Sequence, residues 1–481
     1  MLSRAFLTAA VLSLTPCFGS ATINIGSYLS SAILVRDVAV IGGGSSGTYA
    51  AVQLKRAGYS TAVVEKASRL GGHVDTYRDP VTGQTFDYGV LALLNTSVVR
   101  DYFALFSEAL TVYTGAGPAV TRVYANLATD GEIVTPPSTI PWTDPAAVFA
   151  SFLGYGAQIS QYPFLSDGYS LPNPVPEDLL LPFGDFLAKH DLQALAGTAF
   201  SIVQGVGNLL ATTTLYVFKY LPKTTIDAFV GIAPPPVTSA TFNIQALYNK
   251  ALAYLGSGTN VLLNANVIAI ERDGPRVLVA VLTPSGPKLI IAKKLLVAIQ
   301  PKLSALQGLG LDLTLQERDI FGQFNNSYYW DMVLKNTGLP SDRRFTNIDV
   351  DAPLGIAPMP GLYGLGPGPI ANLTLAYYSS PSSRTDAQVK AETLEAIFKL
   401  KTANGFPPGT GTPEFVGFND HRPFWLTVPP AAIAGGFYDK LNGLQGKKNT
   451  WWTGATFVAH DSSAIWNWTE VSLLPRVKAS L

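Results

Sequence analysis

The apolar pattern changes period twice between Arg36 and Glu65. Asp37-Val38-Ala39-Val40-Ile41 is a short, nearly continuous apolar run, as in a strand buried on both faces of a parallel sheet. Ser45 to Ala57 then carries helix-compatible residues, with Ala50, Ala51 and Leu54 on one face and Gly58 where a helix C-cap belongs. Thr61-Ala62-Val63-Val64-Glu65 is apolar again and predicts a second strand. Strand, glycine turn, helix and strand in about 30 residues make a βαβ unit.

Further along, the pattern loosens. From about Asn95 to Thr241, proline-rich loops such as Pro172 to Pro182 and Pro234 to Pro236 separate moderately amphipathic stretches like Phe183 to Leu195. Ile244 to Leu255 reads as a helix, and Val261 to Ile270, Val277 to Leu282 and Leu289 to Ile299 read as strands. Pro301 to about Gly446 mixes proline, glycine and aromatics, including Tyr328-Tyr329-Trp330 and Tyr377-Tyr378, around a helix from Asp386 to Lys401. Near the end, Asn449 to Gly454 predicts a short strand running into a glycine, then a helix that stops before Pro475. The expected fold is α/β, a discontinuous Rossmann-type domain over 35–95, 242–300 and 447–481. An α+β substrate domain over 96–241 and 301–446 is interleaved with it.

Composition narrows the function. Apolar residues are 47% against 14% charged, enough for a large core, and Lys+Arg 33 balances Asp+Glu 33. With no net positive field, a nucleic-acid partner is not expected. Met1 to Ala21 has Arg4, the apolar run Ala5 to Leu14 and the small residues Gly19-Ser20-Ala21, the layout of a signal peptide. Its apolar run is shorter than the ~20 residues that span a bilayer, so a secreted chain with no stable membrane span is expected. Cys17 lies inside that leader, leaving no thiol for a disulfide, a zinc site or a cysteinyl flavin link. Sequons stand at Asn95, Asn325, Asn372 and Asn467. The histidines are far apart in the chain and no H-E-x-x-H motif occurs, so no metal site is expected.

The glycine turn carries the chemistry. Gly42, Gly44 and Gly47 satisfy G-x-G-x-x-G between a strand and a helix, with Ser46 in the turn that opens the helix. The first glycine permits the tight turn, the second lets a pyrophosphate approach the backbone, and the third lets helix and strand pack closely. Glu65 ends the second strand, about 20 residues on, where a carboxylate accepts both hydroxyls of an adenosine ribose. Lys66 and Arg69-Leu70-Gly71-Gly72-His73 extend the pattern with cations to counter phosphate charge and bare backbone to pass a flat ring closely.

Arg36 to Gly47, Arg69 to Tyr77, Phe86-Asp87-Tyr88-Gly89-Val90, Leu181-Pro182-Phe183 and Trp451 to Pro475 together resemble the flavin-containing amine oxidoreductase superfamily. Within it, the chain is most similar to the fungal beta-cyclopiazonate dehydrogenase family. Leu180 to Ala188, Phe437 to Lys440 and Gly446 to Thr450 also resemble an FAD-dependent polyunsaturated fatty acid double-bond isomerase.

The resemblance implies FAD as cofactor, a hydrophobic amine, indole or other natural-product substrate, and oxygen as a candidate electron acceptor. Double-bond isomerisation of an unsaturated lipid, and FAD or ligand binding without turnover, stand as alternatives. It also implies that the Val267 backbone meets the adenine and that Gly454-Ala455 forms a second flavin-contacting turn. His73 departs from the arginine usual in amine oxidases and is open to roles as base, charge modulator, covalent tether or loop anchor. His190, His421 and His460 are the other residues that could tether a flavin. His460-Asp461 is expected to be a solvated pair rather than a dyad, because adjacent side chains point apart.

Overall fold

A computed structural model describes residues 23–115, 117–407 and 411–481. The expected leader over 1–21, with Cys17, lies outside the described residues. Two large sheets organise the rest, seven strands in each. At the centre of the first lies Ile33–Ile41, flanked by Thr61–Val64 and Gly286–Val297, both parallel to it. Val261–Leu262 extends the parallel part beyond Thr61–Val64, and Thr450–Trp452 runs beside Leu295 to Val297. On the edge away from Ile33–Ile41, the first half of Gly286–Val297 pairs with Val277–Thr283, which pairs with Asn266–Glu271, so an antiparallel meander continues the same sheet. One long strand thus belongs to two sheet segments.

Helix Ser45–Arg56 crosses between the first two strands and buries Tyr49, Ala50, Ala51, Val52 and Leu54. Gly58, at φ +88, closes it as expected. The stretch read as one strand from Val261 to Ile270 is broken in two, because Asn264 sits in the left-handed region at φ 50. That break turns the chain so that the N–H of Ala265 reaches the carbonyl of Glu65 at 3.0 Å.

The second sheet runs Glu414–Asp420, Tyr328–Lys335, Leu373–Ser380, Gly361–Pro367, Arg343–Asn347, Thr121–Ala125, Ile133–Val134. Alternation along Tyr328–Lys335 sorts its side chains. Trp330, Met332 and Leu334 pack with Val389, Ile397 and Leu400 of helix Asp386–Ala403. Val333 packs instead with Phe86 and Tyr88. Helix Asp386–Ala403 starts where the pattern placed it, held by a capping box between Thr385 and Gln388.

The terminal helix does not stop before Pro475. Ser462–Trp468 passes through a widened turn, Thr469–Leu473, into Leu474–Ala479. Pro475 falls in the first turn after that widening, where its missing N–H breaks no intrahelical bond. Among the described residues no helix is long and apolar enough to cross a membrane.

Candidate active site

Three loops meet at the carboxyl ends of the parallel strands. In the first, Gly42 is at φ +101, and a Cβ there would lie 2.7 Å from Ile299 and 2.9 Å from the Ala298 carbonyl. A Cβ at Gly47 would run into the Gly42 carbonyl oxygen, so helix and turn touch backbone to backbone. Gly44 is different. A Cβ there would meet only the Gly72 Cα at 3.8 Å, so open space lies before the helix that Ser45, Ser46 and Gly47 begin.

Gly71 and Gly72 form the second loop, tied to the first by the Gly71 N–H donating to the Gly43 carbonyl at 2.8 Å. The third, Gly454 and Ala455, follows strand Thr450–Trp452, and a Cβ on Gly454 would stand 3.5 Å from Ser46 Oγ. Ser45 Oγ donates to Ser462 Oγ at 2.8 Å, fixing the C-terminal segment to the glycine turn. Bare backbone from three directions around a helix N-terminus is what a dinucleotide diphosphate requires, so the residues fit FAD.

The remaining residues singled out above are placed as follows. Glu65 accepts the Gly43 N–H on one carboxylate oxygen and the Ala67 N–H on the other, each at 2.7 Å. It therefore shapes the turn directly and keeps further lone pairs for hydroxyl donors. Val267 lies buried in strand Asn266–Glu271, two residues beyond Ala265, whose N–H bonds the Glu65 carbonyl. Lys66 is exposed. Arg69, expected to counter phosphate, spends its guanidinium inside the protein: it pairs with Asp75, donates to Gln245 Oε1 at 2.8 Å and reaches the Gly72 carbonyl at 3.3 Å. Its role in the structure is to clamp the Gly71-Gly72 loop.

Protein surrounds His73 on all sides while the residue keeps open surface, so it faces an enclosed hollow. Gly72 and His73 carry open surface while Leu70, Gly71, Val74 and Asp75 on either side are buried. The His73 ring meets His421 at 4.4 Å and Phe424 at 5.7 Å, and Phe424 in turn meets His460 at 4.5 Å. Three of the four histidines thus converge on one phenylalanine. The fourth, His190, pairs with Asp178 at 2.8 Å and packs on Phe186. Tyr329 stacks toward His421 and Phe424 and donates its hydroxyl to Gln204 at 2.7 Å, with Tyr377 behind it.

The expectation of a solvated His460-Asp461 pair fails. His460 is sandwiched by Phe424 and Trp425, and Asp461 caps helix Ser462–Trp468 by accepting the Ala464 N–H at 2.6 Å.

The electrostatics divide the histidines. Burial opposes charge on His421, but Asp331, hydrogen-bonded to its Nε2 at 2.9 Å, and Asp75, at 3.7 Å, outweigh it and raise its pKa. Burial, with the charge of His421, lowers His73 well below the usual value and His460 to about 3. Charge is therefore favoured on His421 and disfavoured on His73 and His460.

The Asp75, Asp331 and His421 cluster was illegible as spacing, because its members lie up to hundreds of residues apart. One signal was available: Asp331 is an acid placed directly between the aromatic run Tyr328-Tyr329-Trp330 and the apolar run Met332-Val333-Leu334. The cluster is a hydrogen-bonded acid–base unit, since the His421 nitrogen that faces the carboxylates bonds Asp331 at 2.9 Å and lies 3.7 Å from Asp75.

Glycine turn, sheet order and meander define a Rossmann-type dinucleotide-binding fold with an interleaved substrate domain, on the amine-oxidase plan. Residues 40–109 match the NAD(P)-binding Rossmann-like domain. The chain is 37% identical to FAD-dependent oxidoreductase oblC of Cochliobolus heterostrophus, over 96% of this chain and 95% of that one. It is 35% identical to beta-cyclopiazonate dehydrogenase of Aspergillus flavus, over 90% and 91%. The chain belongs to this family of FAD-dependent oxidoreductases; it is an enzyme, and its cofactor is FAD.

Solved structures agree on the fold. A CLA-producing fatty acid isomerase from P. acnes superposes with TM-score 0.72 at 20% identity, over 92% of this chain and 98% of that one. Cyclohexylamine oxidase from Brevibacterium oxydans does so with TM-score 0.61 at 16% identity, over 92% and 99%.

Proposed function

We propose that this enzyme removes a hydride and a proton from an apolar, ring-containing natural product of the amine or indole type, and that oxygen then reoxidises the flavin. The observation that carries this reading is the wall around His73. Phe424, Trp425, Tyr329, Tyr377 and His460 meet there ring against ring, a lining suited to flat apolar molecules. The kinship with a beta-cyclopiazonate dehydrogenase supports a natural-product substrate.

Bound FAD supplies a two-electron acceptor, and the protein's part is to hold the reacting C–H bond and exclude water. The glycine turn, with Glu65 behind it, seats the adenosine diphosphate. Phe424 and Tyr329 orient the substrate ring, and the Tyr329 hydroxyl fixes Gln204 as the polar group beside them. Neutral His73 and His460 keep lone pairs available at the wall. Secretion through the amino-terminal leader is part of the same reading, and Asn325, Asn372 and Asn467 are exposed and open to glycosylation.

The test is expression from residue 22 onward in a secretory host, followed by spectra before and after acid precipitation and anaerobic mixing with a panel of amines, indoles and unsaturated fatty acids. The expected result is a yellow protein whose flavin is bleached by an amine or indole, with hydrogen peroxide formed on readmitting air. Turnover that leaves product and substrate equal in mass would identify an isomerase and overturn the reading.

A further inference from the structure

Asp75, Asp331 and His421 arrive from three separate segments: the loop after Gly71-Gly72, strand Tyr328–Lys335, and the residue after strand Glu414–Asp420. All three are buried, at 5%, 0% and 5% exposure. A structural ion pair in such a place uses up its buried oxygens, since each one left bare keeps its full desolvation penalty. Here two are left over. Among the described residues, Asp75 Oδ2 and Asp331 Oδ1 have no hydrogen-bond partner. A bare oxygen on each carboxylate, with an imidazole between them, is capacity to receive a proton. The ring nearest that imidazole among the described residues is His73 of the cofactor loop, at 4.4 Å.

We propose that Asp75, His421 and Asp331 form a proton-accepting unit coupled to the flavin, filled through His73. The proposal rests on the oxidase reading given above. As the substrate is oxidised, its C–H bond breaks and the hydrogen leaves with both electrons to the flavin. The neighbouring N–H or O–H bond breaks and its proton passes to His73, while the carbon–heteroatom double bond forms. His421 relays by handing a proton to Asp75 Oδ2, 3.7 Å from its Nε2, and taking the substrate's proton from His73 in exchange. Atoms and charge balance with the flavin as the only oxidant. Asp331, which holds the His421 ring, and Arg69, which holds Asp75, are positioning residues.

The surroundings give the sign of the pH dependence. Burial, then the charge of Asp331, raises Asp75 to about 7, against the opposing pull of His421 and Arg69. From the adjoining strand Asp87, itself raised by burial to about 6, faces it, with Tyr88 beside it. On the other side Asp420 adds to the charge that favours protonated His421, while Tyr329 and Tyr377 stay neutral across this range. Above about pH 7 the unit has a vacancy, and below it the vacancy is filled.

The test needs no substrate, so it can fail independently of the proposed reaction. Holoenzyme and its Asp75→Asn and Asp331→Asn variants are titrated spectroelectrochemically from about pH 5.5 to 8.5, and the flavin potential is plotted against pH. The wild-type line is expected to bend near pH 7, because the reduced flavin draws a proton into the unit. Both asparagine variants, checked for equal FAD content and melting temperature, are expected to lose the bend. Asp331→Asn retains a hydrogen-bonding oxygen for His421 and serves if Asp75→Asn does not retain FAD. A bend unchanged in a folded, FAD-loaded variant, or a wild-type line without one, would overturn the proposal.

Discussion

Gly44→Ala and Gly47→Ala are nearly the same change three residues apart, and the structure requires them to fail in different ways. Gly47 sits inside helix Ser45–Arg56 with Ala298 Cβ 3.0 Å from where its own Cβ would be and the Gly42 carbonyl nearer still. Overpacking against side chains costs typically 1–3 kcal/mol, and here the obstacle is backbone that cannot rotate away, so the cost should reach about 3 kcal/mol or more. Gly44 has φ −70, which any residue adopts, and 3.8 Å of clearance. Replacing it loses only the N-cap preference for glycine, about 1 kcal/mol.

The new methyl would nevertheless stand at the mouth of the helix, where the diphosphate must reach bare N–H groups. Displacing an anion from one or two charge-assisted hydrogen bonds, at about 1.5–3 kcal/mol each, weakens FAD binding on the order of 100-fold. The assay is a pair of measurements on each variant: the melting temperature of FAD-stripped protein, and FAD affinity from flavin fluorescence. Gly47→Ala should lose the fold. Gly44→Ala should keep it and lose FAD. A Gly44→Ala protein that binds FAD as tightly as the parent would refute the placement of the diphosphate.

Arg272 is fully buried, donating to Asp312 at 2.5 Å and to both oxygens of Glu317 at 2.7 and 2.8 Å. Arg272→Ala strands both acids and should cost about 3–5 kcal/mol in a denaturant titration. Burial opposes ionisation of Glu317, but Arg272 outweighs it and its pKa is lowered. That stabilisation is complete above the ordinary glutamate value and is lost as pH falls through the lower folded one, a loss visible as an acid-limb change absent from Arg272→Ala. Glu65→Gln sets an NH₂ group against the N–H of Gly43 or Ala67, and equilibrium dialysis should show FAD affinity down by roughly 10-fold or more. Phe424→Leu removes the ring shared by three histidines, so stopped-flow reduction by a substrate that bleaches the parent should slow about 10-fold or more at unchanged FAD content.

How far the sequence reaches follows from the range of the interactions. The glycine turn, the helix behind it and Glu65 form a local unit in which each residue answers to the next strand or turn, so period and spacing expose it. Asn264 shows the limit at short range: one left-handed residue splits an apolar run whose pattern reads as continuous. Pro475 shows it again, since a widened turn upstream makes harmless a residue that ordinarily ends a helix.

The wall around His73 belongs to another class, because its members share no period and no element. Asp75, Asp331 and His421 are held by sheet pairing that brings Tyr328–Lys335 beside Glu414–Asp420, and by the clamp of Arg69 on the cofactor loop. What sequence does retain of such a site is local inconsistency. Asp331 is flanked by Trp330 and Met332 on a strand with buried faces, and fold physics alone would not keep an acid there. The same test applied to His421 finds a histidine followed by Arg422, Pro423, Phe424 and Trp425, a run with no regular period in which Phe424 and Trp425 both turn inward to hold His460. A buried charge or an aperiodic aromatic run is therefore the better place to look for chemistry in this family than any fixed spacing of histidines.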